Sequence, residues 1–381
     1  MRDAVIVEAV RTPVGKRKGG LAGVHPADLS AHVLRSLVER AGVDPAEVED
    51  VIWGCVGQVG EQTFDIGRTA ALSAGWPETV TGVTIDRQCG SSQQSIHFAA
   101  AGVVSGQYDV VVAGGVESMT RVPMGTSLID KVPFGDLFDA RYGLFPNQGL
   151  GAEMIAEKWG ISREQADEFS VASQEKAAAA QAAGLFDSQI APVTTPDGTV
   201  ISKDEGIRPG TTAEVLAGLK TVFKPEGGVI TAGNSSQISD GSAALLIMTS
   251  EKAKELGLTP FARVHTATLA GADPVMMLTA PMPATEKALK RSGLQLSDIG
   301  AFEVNEAFAP IPLAWLQDIG ADAKLLNPLG GAIALGHPLG GSGARIATTL
   351  LNHMRDNGIR YGLQTMCEGG GQANATIFEL L

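Results

Sequence analysis

The sequence predicts a mixed α/β fold made of two related halves, with a long segment inserted between them. Short apolar, β-branched runs alternate with helical runs from the N-terminus onward, which is the pattern of an α/β fold. Two stretches of the first third recur in the same order in the last third. Residues 118–238 break the alternation and are rich in Pro, Gly, Asp and Thr. A length of 381 residues also favours two or three domains over one.

In the N-terminal half, each element follows from its hydrophobic pattern. Short apolar runs bounded by turn residues indicate buried strands, and an apolar face that returns every three or four residues indicates an amphipathic helix. On this basis, strands are predicted at 4–9, 48–56, 80–85 and 108–115, and helices at 28–41 and 95–104.

The last third repeats this plan. Residues 42–51 contain a helix end, an acidic turn and an entering strand, and residues 293–302 repeat that pattern 251 residues later. The glycine-serine turn after Cys89 has its counterpart after His337, 248 residues later. Nearly equal offsets over a long stretch point to a duplicated α/β unit.

The predicted domain boundaries follow from this repeat. The inserted segment is predicted to contain helices at 151–159 and 163–183, to cover one face of the core and to bind substrate, because such excursions from a rigid scaffold often carry function. The expected units are an N-terminal half at 1–117 completed by about 239–260, an inserted segment at 118–238, and a C-terminal half at 261–381.

Bulk composition excludes several classes of protein. A formal net charge of −13 argues against a nucleic-acid binder but leaves room for a small anionic ligand held by local cations. No apolar run approaches the roughly 18 residues needed to cross a bilayer, and the N-terminus lacks a signal-peptide core. Three cysteines make neither a disulfide framework nor a zinc motif. We therefore expect a cytoplasmic protein without a metal and without membrane insertion.

Cys89 lies where the strand at 80–85 gives way to the helix at 95–104. Such a turn offers free backbone N–H groups and the positive end of a helix dipole, which favour an anion and lower the pKa of a thiol. Cys89 is therefore a candidate nucleophile, although a buried Cys is also common as a small core residue. Cys55, whose neighbours Trp53 and Val56 are apolar, fits the core role better.

Three further positions could complete such a site. If the halves pack around a pseudo-dyad, His337 and Cys89 occupy equivalent turns that meet near the axis, and a His beside a Cys can generate a thiolate. Cys367 precedes three glycines whose backbone N–H groups could hold an oxyanion. Asn305 ends a buried strand. Each has a plainer alternative: a structural His, a tight glycine turn, and a helix cap.

Two nucleotide-binding motifs are absent. The glycine run 331–336 is followed by His337, where a phosphate-binding P-loop needs Lys and then Ser or Thr. No G-x-G-x-x-G follows a first strand with an acidic partner downstream, so a dinucleotide site is also disfavoured.

Four motifs together resemble the thiolases, the enzymes that make or break 3-ketoacyl-CoA. They are QCGSS at 88–92, NEAFAP at 305–310, GGAIALGHPLGGSG at 330–343 and CEGGG at 367–371, and the resemblance covers the whole chain. It implies a duplicated, five-layered α-β-α-β-α fold with an inserted loop domain. It also implies a homo-oligomer, a dimer or a tetramer, that uses coenzyme A as co-substrate and keeps no permanently bound cofactor.

The resemblance also implies roles for individual residues. Cys89 would be the nucleophile that becomes acylated, and His337 would activate it. His337 would also bind the keto or enolate oxygen, together with a water held by Asn305. Cys367 would be the acid/base that protonates the departing acetyl-CoA enolate. The backbone N–H groups of Cys89 and Gly369 would hold the thioester oxygen.

Coenzyme A would be bound largely by the inserted segment. By position, Arg208 would approach the nucleotide end, and Ser236 would bind the pantetheine arm. Leu219, Met277 and Phe308 would line the tunnel. For Arg208 the plainer alternative is a surface salt bridge.

Two departures from the family bear on the substrate. Many thiolases carry His-Met-Gly where this chain has Asn-Gln-Gly at 147–149, and short-chain biosynthetic members carry Met-Gly-Thr-Gly-Pro where this chain has Met-Leu-Thr-Ala-Pro at 277–281. The chain looks most similar to degradative bacterial thiolases, including actinobacterial ones acting on steroid side chains. The alternatives are an acetoacetyl-CoA-specific biosynthetic thiolase, a catalytically silent CoA- or lipid-binding protein, and a decarboxylating ketoacyl synthase. Asn305 and Cys367 disfavour the last, which usually has a second His and no second Cys.

Overall fold

A computed structural model describes residues 2–143 and 147–381. The strands are β1 (Val5–Arg11), β2 (Gly15–Lys16), β3 (Asp50–Gly54), β4 (Thr81–Ile85), β5 (Val110–Ser118), β6 (Val193–Thr194), β7 (Val200–Ile201), β8 (Ser239–Met248), β9 (Ala262–Gly271), β10 (Ala301–Val304), β11 (Tyr361–Glu368) and β12 (Gln372–Leu380). The helices are α1 (Pro26–Ala41), α2 (Ile66–Ser73), α3 (Ser91–Ser105), α4 (Asp136–Tyr142), α5 (Gln148–Trp159), α6 (Arg163–Ala182), α7 (Ala213–Ala217), α8 (Ser250–Glu255), α9 (Pro281–Ser292), α10 (Pro310–Ile319), α11 (Ala332–Leu335) and α12 (Leu339–Asn357). Met1 and residues 144–146 of the inserted segment lie outside the described residues.

Strand pairing confirms the duplication. In the N-terminal half the strand order is β4-β3-β5-β8-β1, with β3 parallel to β4 and β5 and the remaining pairs antiparallel. In the C-terminal half the order is β10-β11-β12-β9, with the same directions. A single parallel bridge from Phe302 to Leu326 stands where β4 stands in the first half. The two halves join edge to edge through β1 and β9, in two residue pairs.

The elements form the five expected layers. Helices α1 and α2 cover the outer face of the first half, and α9 covers the outer face of the second. Helices α3 and α12 lie between the two halves: α12 contacts β5 and β8 on one side and β10 and β11 on the other. The apolar core is divided accordingly into two outer clusters and one inner cluster, the inner one containing Ile96, Val103 and Leu350.

Glycine residues, which have no side chain, let α3 and α12 pack in close contact. A Cβ on Gly343 would lie 2.2 Å from the Gln93 backbone nitrogen, and one on Gly54 would lie 2.4 Å from that of Ser92. The Ala344 N–H donates to Ser92 Oγ across the same contact, at 2.9 Å. This glycine contact fixes the starts of the two helices side by side, and the turns carrying Cys89 and His337 immediately precede them.

The segment between β5 and β8 packs onto this scaffold through buried polar anchors. Arg11 at the end of β1 forms a fully buried bidentate ion pair with Asp204, with distances of 2.7 and 2.9 Å. Within the segment itself, Glu153 of α5 accepts from the backbone N–H groups of Val229 and Ile230. In the described part of the chain, no helix combines the length and apolar character that crossing a membrane requires.

Candidate active site

The turn that carries Cys89 rests directly on the turn that follows Cys367. A Cβ on Gly90 would lie 1.9 Å from Glu368 Oε1, and one on Gly369 would lie 2.9 Å from Gln88 Oε1. Only glycine fits at Gly90, because any side chain there would overlap the carboxyl group. Gln88 accommodates the tight turn by adopting a left-handed φ of 47°. The structure therefore brings the turns that carry Cys89, Cys367 and Gly369 together.

Asn305 and His337 join this cluster from the second half. Asn305 directly follows β10, and its N–H donates to the Thr365 carbonyl two residues before Cys367, at 3.1 Å. Asn305 Nδ2 lies 3.4 Å from His337 Nε2. Its Oδ1 is buried and has no hydrogen-bond partner among the described residues. Leu339, two residues after His337, packs in one apolar cluster with Cys89 and Met366.

The hydrogen bonds of His337 define its tautomer. Ser342 Oγ donates to the Pro338 carbonyl at 2.8 Å, so its only proton is already used. The same oxygen lies 2.6 Å from His337 Nδ1 and must therefore accept from an Nδ1–H. Burial, with a smaller contribution from the Arg345 charge, lowers the pKa of His337 to about 3. The imidazole is thus neutral and carries its lone pair on Nε2, which lies 3.4 Å from the Asn305 Nδ2 donor and is the ring nitrogen that can take a proton.

The pKa of Cys89 differs from the expectation. Burial, and secondarily the nearby Glu368 carboxyl group, raise the pKa of Cys89 to about 12, against a smaller lowering by a side-chain hydrogen bond from Gln148. The prediction of a depressed thiol pKa at the helix start is therefore wrong, because desolvation outweighs the helix end. Cys89 therefore rests as a protonated thiol, and a base must take its proton before the sulfur can act as a nucleophile.

Cys367 is likewise a protonated thiol. It is 1% exposed, and burial together with the charges of Cys89 and Glu368 raises its pKa. The electrostatic influence of Cys89 on Cys367 places the two sulfur atoms in one site. Cys55 is core, as predicted: it is fully buried in the outer cluster of the first half.

Three of the predicted CoA contacts surround one loop, residues 231–236. Leu219 Cδ1 lies 2.7 Å from the Cβ position of Gly233, and the Ser236 N–H donates to the Ala307 carbonyl at 2.9 Å. Phe308 bridges to Ser235 and packs edge-on against Phe223, with ring centroids 6.1 Å apart.

This aromatic pair continues toward Cys89. Phe223 fills the space over Gly149, in the first turn of α5, where a Cβ would lie 2.2 Å from the ring. Gln148 precedes it and makes the hydrogen bond to Cys89. Met277, also predicted to line the tunnel, is 2% exposed. Its Cβ lies 3.7 Å from the Cβ position of Gly151, which belongs to α5.

Arg208 lies on the exposed surface of the inserted segment. Its backbone N–H donates to Gln174 Oε1 at 2.8 Å. Within residues 2–143 and 147–381 no ion pair involves Arg208, so its charge is not engaged in the alternative surface salt bridge.

Sequence reasoning missed four residues that shape the site. Ser342 and Glu368 stand inside motifs that were recognised for their neighbours, and Gln148 stands in a recognised departure from the family. Glu117, at the end of β5, gave no sequence signal. Its buried carboxyl group accepts from the backbone of Val56 and Gly340, at 2.9 and 2.8 Å, and so holds the start of α12. Nowhere in the described part of the chain do three or more His, Cys, Asp or Glu side chains form a group that could hold a metal ion.

Two family models match the chain almost from end to end. "Thiolase, N-terminal domain" matches residues 4–251, and "Thiolase, C-terminal domain" matches residues 258–380. The chain belongs to the thiolase family. It is therefore an acyltransferase, built on the family's duplicated fold.

Relatives and a solved structure agree with this assignment. The chain is 49% identical to a protein named steroid 3-ketoacyl-CoA thiolase FadA6 from Mycobacterium tuberculosis (strain ATCC 25618 / H37Rv), over 100% of this chain and 95% of that protein. It is 46% identical to a 3-ketoacyl-CoA thiolase of Aliivibrio fischeri (strain ATCC 700601 / ES114), over the full length of both. The crystal structure of the Bacillus anthracis acetyl-CoA acetyltransferase superposes with a TM-score of 0.92 at 40% identity, covering 100% of this chain and 99% of that one.

Proposed function

We propose that this thiolase works in the degradative direction, cleaving 3-ketoacyl-CoA with CoA to give acetyl-CoA and a shortened acyl-CoA through an acyl-Cys89 intermediate. The observation that carries the proposal is the grouping of two thiols with a neutral imidazole that holds its proton on Nδ1, so that Nε2 is the nitrogen able to accept one. The names of the curated relatives support the same reaction class.

In the first half-reaction, His337 Nε2 takes the Cys89 proton and the thiolate attacks the C3 carbonyl carbon. The C2–C3 bond then breaks, and its electron pair forms the enolate of acetyl-CoA. Cys367 donates its proton to C2, and acetyl-CoA leaves. Asn305, through a water on its unpartnered Oδ1, and His337 would bind the enolate oxygen. A thiol with a raised pKa suits this exchange with carbon, because the conjugate acid of an enolate is itself a very weak acid.

In the second half-reaction, the Cys367 thiolate takes the proton of the CoA thiol. The CoA sulfur attacks the acyl carbon, the bond to Cys89 breaks, and the departing Cys89 thiolate recovers its proton from His337. The backbone N–H groups of Cys89 and Gly369 would hold the thioester oxygen in both steps. Because one product leaves before CoA enters, the kinetics should be ping-pong.

Coenzyme A would enter across the inserted segment, residues 118–238, which we propose as its binding unit. The exposed, unpaired guanidinium of Arg208 suits the phosphates of the nucleotide end. Ser236 lies beside the half-buried Phe308, which packs against the half-buried Phe223, and the exposed Leu219 lies over Gly233 of the same loop. This mixed polar and apolar lining suits a pantetheine arm.

A more specific part of the proposal concerns which acyl chain the 3-ketoacyl-CoA substrate carries. Gln148 beside Cys89, in place of Met, and Leu278 and Ala280, in place of Gly, distinguish this chain from short-chain members, so we propose a longer or branched acyl chain, of the steroid side-chain type. The second candidate is an acetoacetyl-CoA-specific enzyme, which the name of the similar Bacillus anthracis structure favours. Comparing kcat/KM for acetoacetyl-CoA with longer and branched 3-ketoacyl-CoA esters decides between them, and a clear preference for acetoacetyl-CoA contradicts the proposal.

The first experiment is intact-protein mass after mixing with acetyl-CoA, for the wild type and for Cys89→Ala. One added acetyl group on the wild type, absent from the variant, is the expected result. An unmodified wild type that still binds CoA in calorimetry would instead indicate the silent binding protein.

We also propose a homo-oligomer in the cytoplasm. The edge strand β4 leaves Val83 42% exposed, and Phe64 near it is 91% exposed, which suits burial against a second copy. Sedimentation equilibrium distinguishes a dimer from a tetramer, and a monomer contradicts the proposal.

A further inference from the structure

Glu368 is a buried carboxyl group for which the mechanism above has no use. It follows Cys367 at the end of β11 and is 0% exposed. Its Oε1 accepts the Asn374 backbone N–H at 3.1 Å, and its Oε2 has no partner among the described residues. A buried carboxylate that accepts a single hydrogen bond is costly, so the neutral acid is the favoured form.

The surroundings of Glu368 contain a matching unpartnered acceptor. Asn374 Nδ2 donates to Gln94 Oε1 at 3.0 Å, which turns Asn374 Oδ1 away, and that buried oxygen has no partner in the described structure either. The Cβ position of Gly90 lies 1.9 Å from Glu368 Oε1 and 2.3 Å from Asn374 Oδ1, so the two oxygens face the same side of the Cys89 turn. A proton on the carboxyl group would give this pair of acceptors the donor that it lacks.

The charged neighbours act on Glu368 with opposite signs. Burial raises the pKa of Glu368 to about 8, the Arg87 charge lowers it, and Asp86 raises it. Arg87 Nη1 donates a hydrogen bond to Gln372 Oε1 at 2.9 Å, and Arg87 makes no direct hydrogen bond to Glu368. Ionised Glu368 in turn raises the pKa of both Cys89 and Cys367.

We propose that Glu368 is a positioning acid of the active site, which works in its neutral form by sharing its proton with Asn374 and so keeps negative charge away from the two thiols. The proposal rests on the proposed function, because the reaction puts negative charge first on Cys89, then on the enolate and Cys367. Neutral Glu368 does not repel these negative charges. Loss of the Glu368 proton to solvent at alkaline pH would turn the same side chain into a repelling anion.

The test is the pH dependence of Cys89 alkylation by iodoacetamide, followed by peptide mass in wild type and Glu368→Gln. The amide of Gln has the shape of the neutral acid and can never ionise. We expect Glu368→Gln to shift the midpoint of alkylation to lower pH, raising the rate about 10-fold at pH 10, where the wild-type carboxyl group is ionised, but no more than about 2-fold at pH 8. An alkaline decline in kcat/KM near pH 8, present in the wild type and absent from the variant, is expected with it. An unchanged midpoint overturns the proposal.

Two further variants, which leave Glu368 in place, test the direction in which the alkaline decline of kcat/KM moves. They do not depend on the folding of Glu368→Gln. Asp86→Asn should move the alkaline decline to lower pH, and Arg87→Gln should move it to higher pH, because the Asp86 charge raises the pKa of Glu368 and the Arg87 charge lowers it. Shifts in the same direction for both contradict the proposal. Alkylation needs no turnover, so a missing acetyl-enzyme refutes the proposed function without touching this result.

Discussion

At the scale of single residues, one hydroxyl decides which nitrogen of His337 can act as the proposed base. Ser342 gives its proton to Pro338 and can only accept from Nδ1, so the imidazole keeps its proton there and presents Nε2 to the site. Without that acceptor, the neutral ring is free to carry its proton on Nε2, where it cannot take one from Cys89.

We therefore expect Ser342→Ala to lower kcat about 10- to 100-fold while KM changes less than about 3-fold. Steady-state kinetics with a 3-ketoacyl-CoA measure both constants. Ser95→Ala is the matched control, because Ser95 Oγ makes the same type of bond within α3, to the Ser91 carbonyl at 3.2 Å, and touches no histidine. Equal losses in the two variants would show that helix packing, and not the tautomer, is responsible.

The same scale shows where sequence reasoning succeeds and fails. The identities of Cys89, His337 and Cys367 stood out from local motifs and from the repeat. The protonation state of Cys89 did not, because it depends on burial and on Glu368, 279 residues further along the chain. Local sequence reports the helix end that would lower the pKa but not the desolvation that raises it.

At the scale of elements, the contact between α3 and α12 depends on glycine. Gly343 lies inside α12, where Ala would be preferred by about 1 kcal/mol on helix propensity alone. Its absent Cβ instead lets the Gln93 backbone approach to a point 2.2 Å from where that atom would be. A backbone atom in a buried helix has nowhere to move without opening the contact.

Gly343→Ala should therefore destabilise the protein by about 2–3 kcal/mol, despite the gain in propensity. Urea unfolding followed by circular dichroism measures the change. Gly135→Ala is the control, since no atom of the described residues lies within 4 Å of the Cβ position there, and we expect its stability to change by less than about 1 kcal/mol. A Gly343→Ala protein as stable as the wild type would mean that the two helices separate easily.

Elements with a strong periodic pattern were predictable, and short ones were not. The predicted helix at 28–41 is α1, and the predicted strand at 108–115 is β5, each within three residues at either end. The two-residue strands β2, β6 and β7 have too few residues to show a period. Helix α3 begins at Ser91, four residues before its predicted start, because the polar run after Cys89 faces a packed helix and not solvent.

At the scale of the whole molecule, charge is buried between the halves without direct pairing. Glu303 of β10 and Arg345 of α12 are each 2% exposed. Glu303 Oε1 and all three guanidinium nitrogens have no hydrogen-bond partner in the described residues. Burial raises the pKa of Glu303 to about 8, with Arg345 opposing the shift.

This arrangement makes stability depend on pH. The folded protein holds the Glu303 proton up to about pH 8, whereas the unfolded chain releases it near 4.5, so the free energy of unfolding falls as pH rises between these values. The loss is at most on the order of 5 kcal/mol, at about 1.4 kcal/mol per pKa unit. Glu303→Gln should flatten this slope in urea unfolding between pH 5 and 8. Glu286→Gln, an exposed carboxylate on α9, should leave it as in the wild type, and equal slopes in all three proteins contradict the prediction.

The duplication itself was predictable because its spacing is preserved in the fold. Strands β3 and β10 begin 251 residues apart, and helices α3 and α12 begin 248 residues apart, the same offsets that the sequence shows. The C-terminal counterpart of β4 was not visible, because it survives only as the bridge at Leu326.

The pairing of halves also bears on how such a site could arise. Cys89 stands on one repeat and His337 on the equivalent turn of the other, with Asn305 and Cys367 on the second repeat as well. A single-repeat ancestor would have had to associate with itself, and symmetry would have placed identical residues on both turns. Joining the copies in one chain removed that restriction, so that one turn could specialise as nucleophile and the other as base.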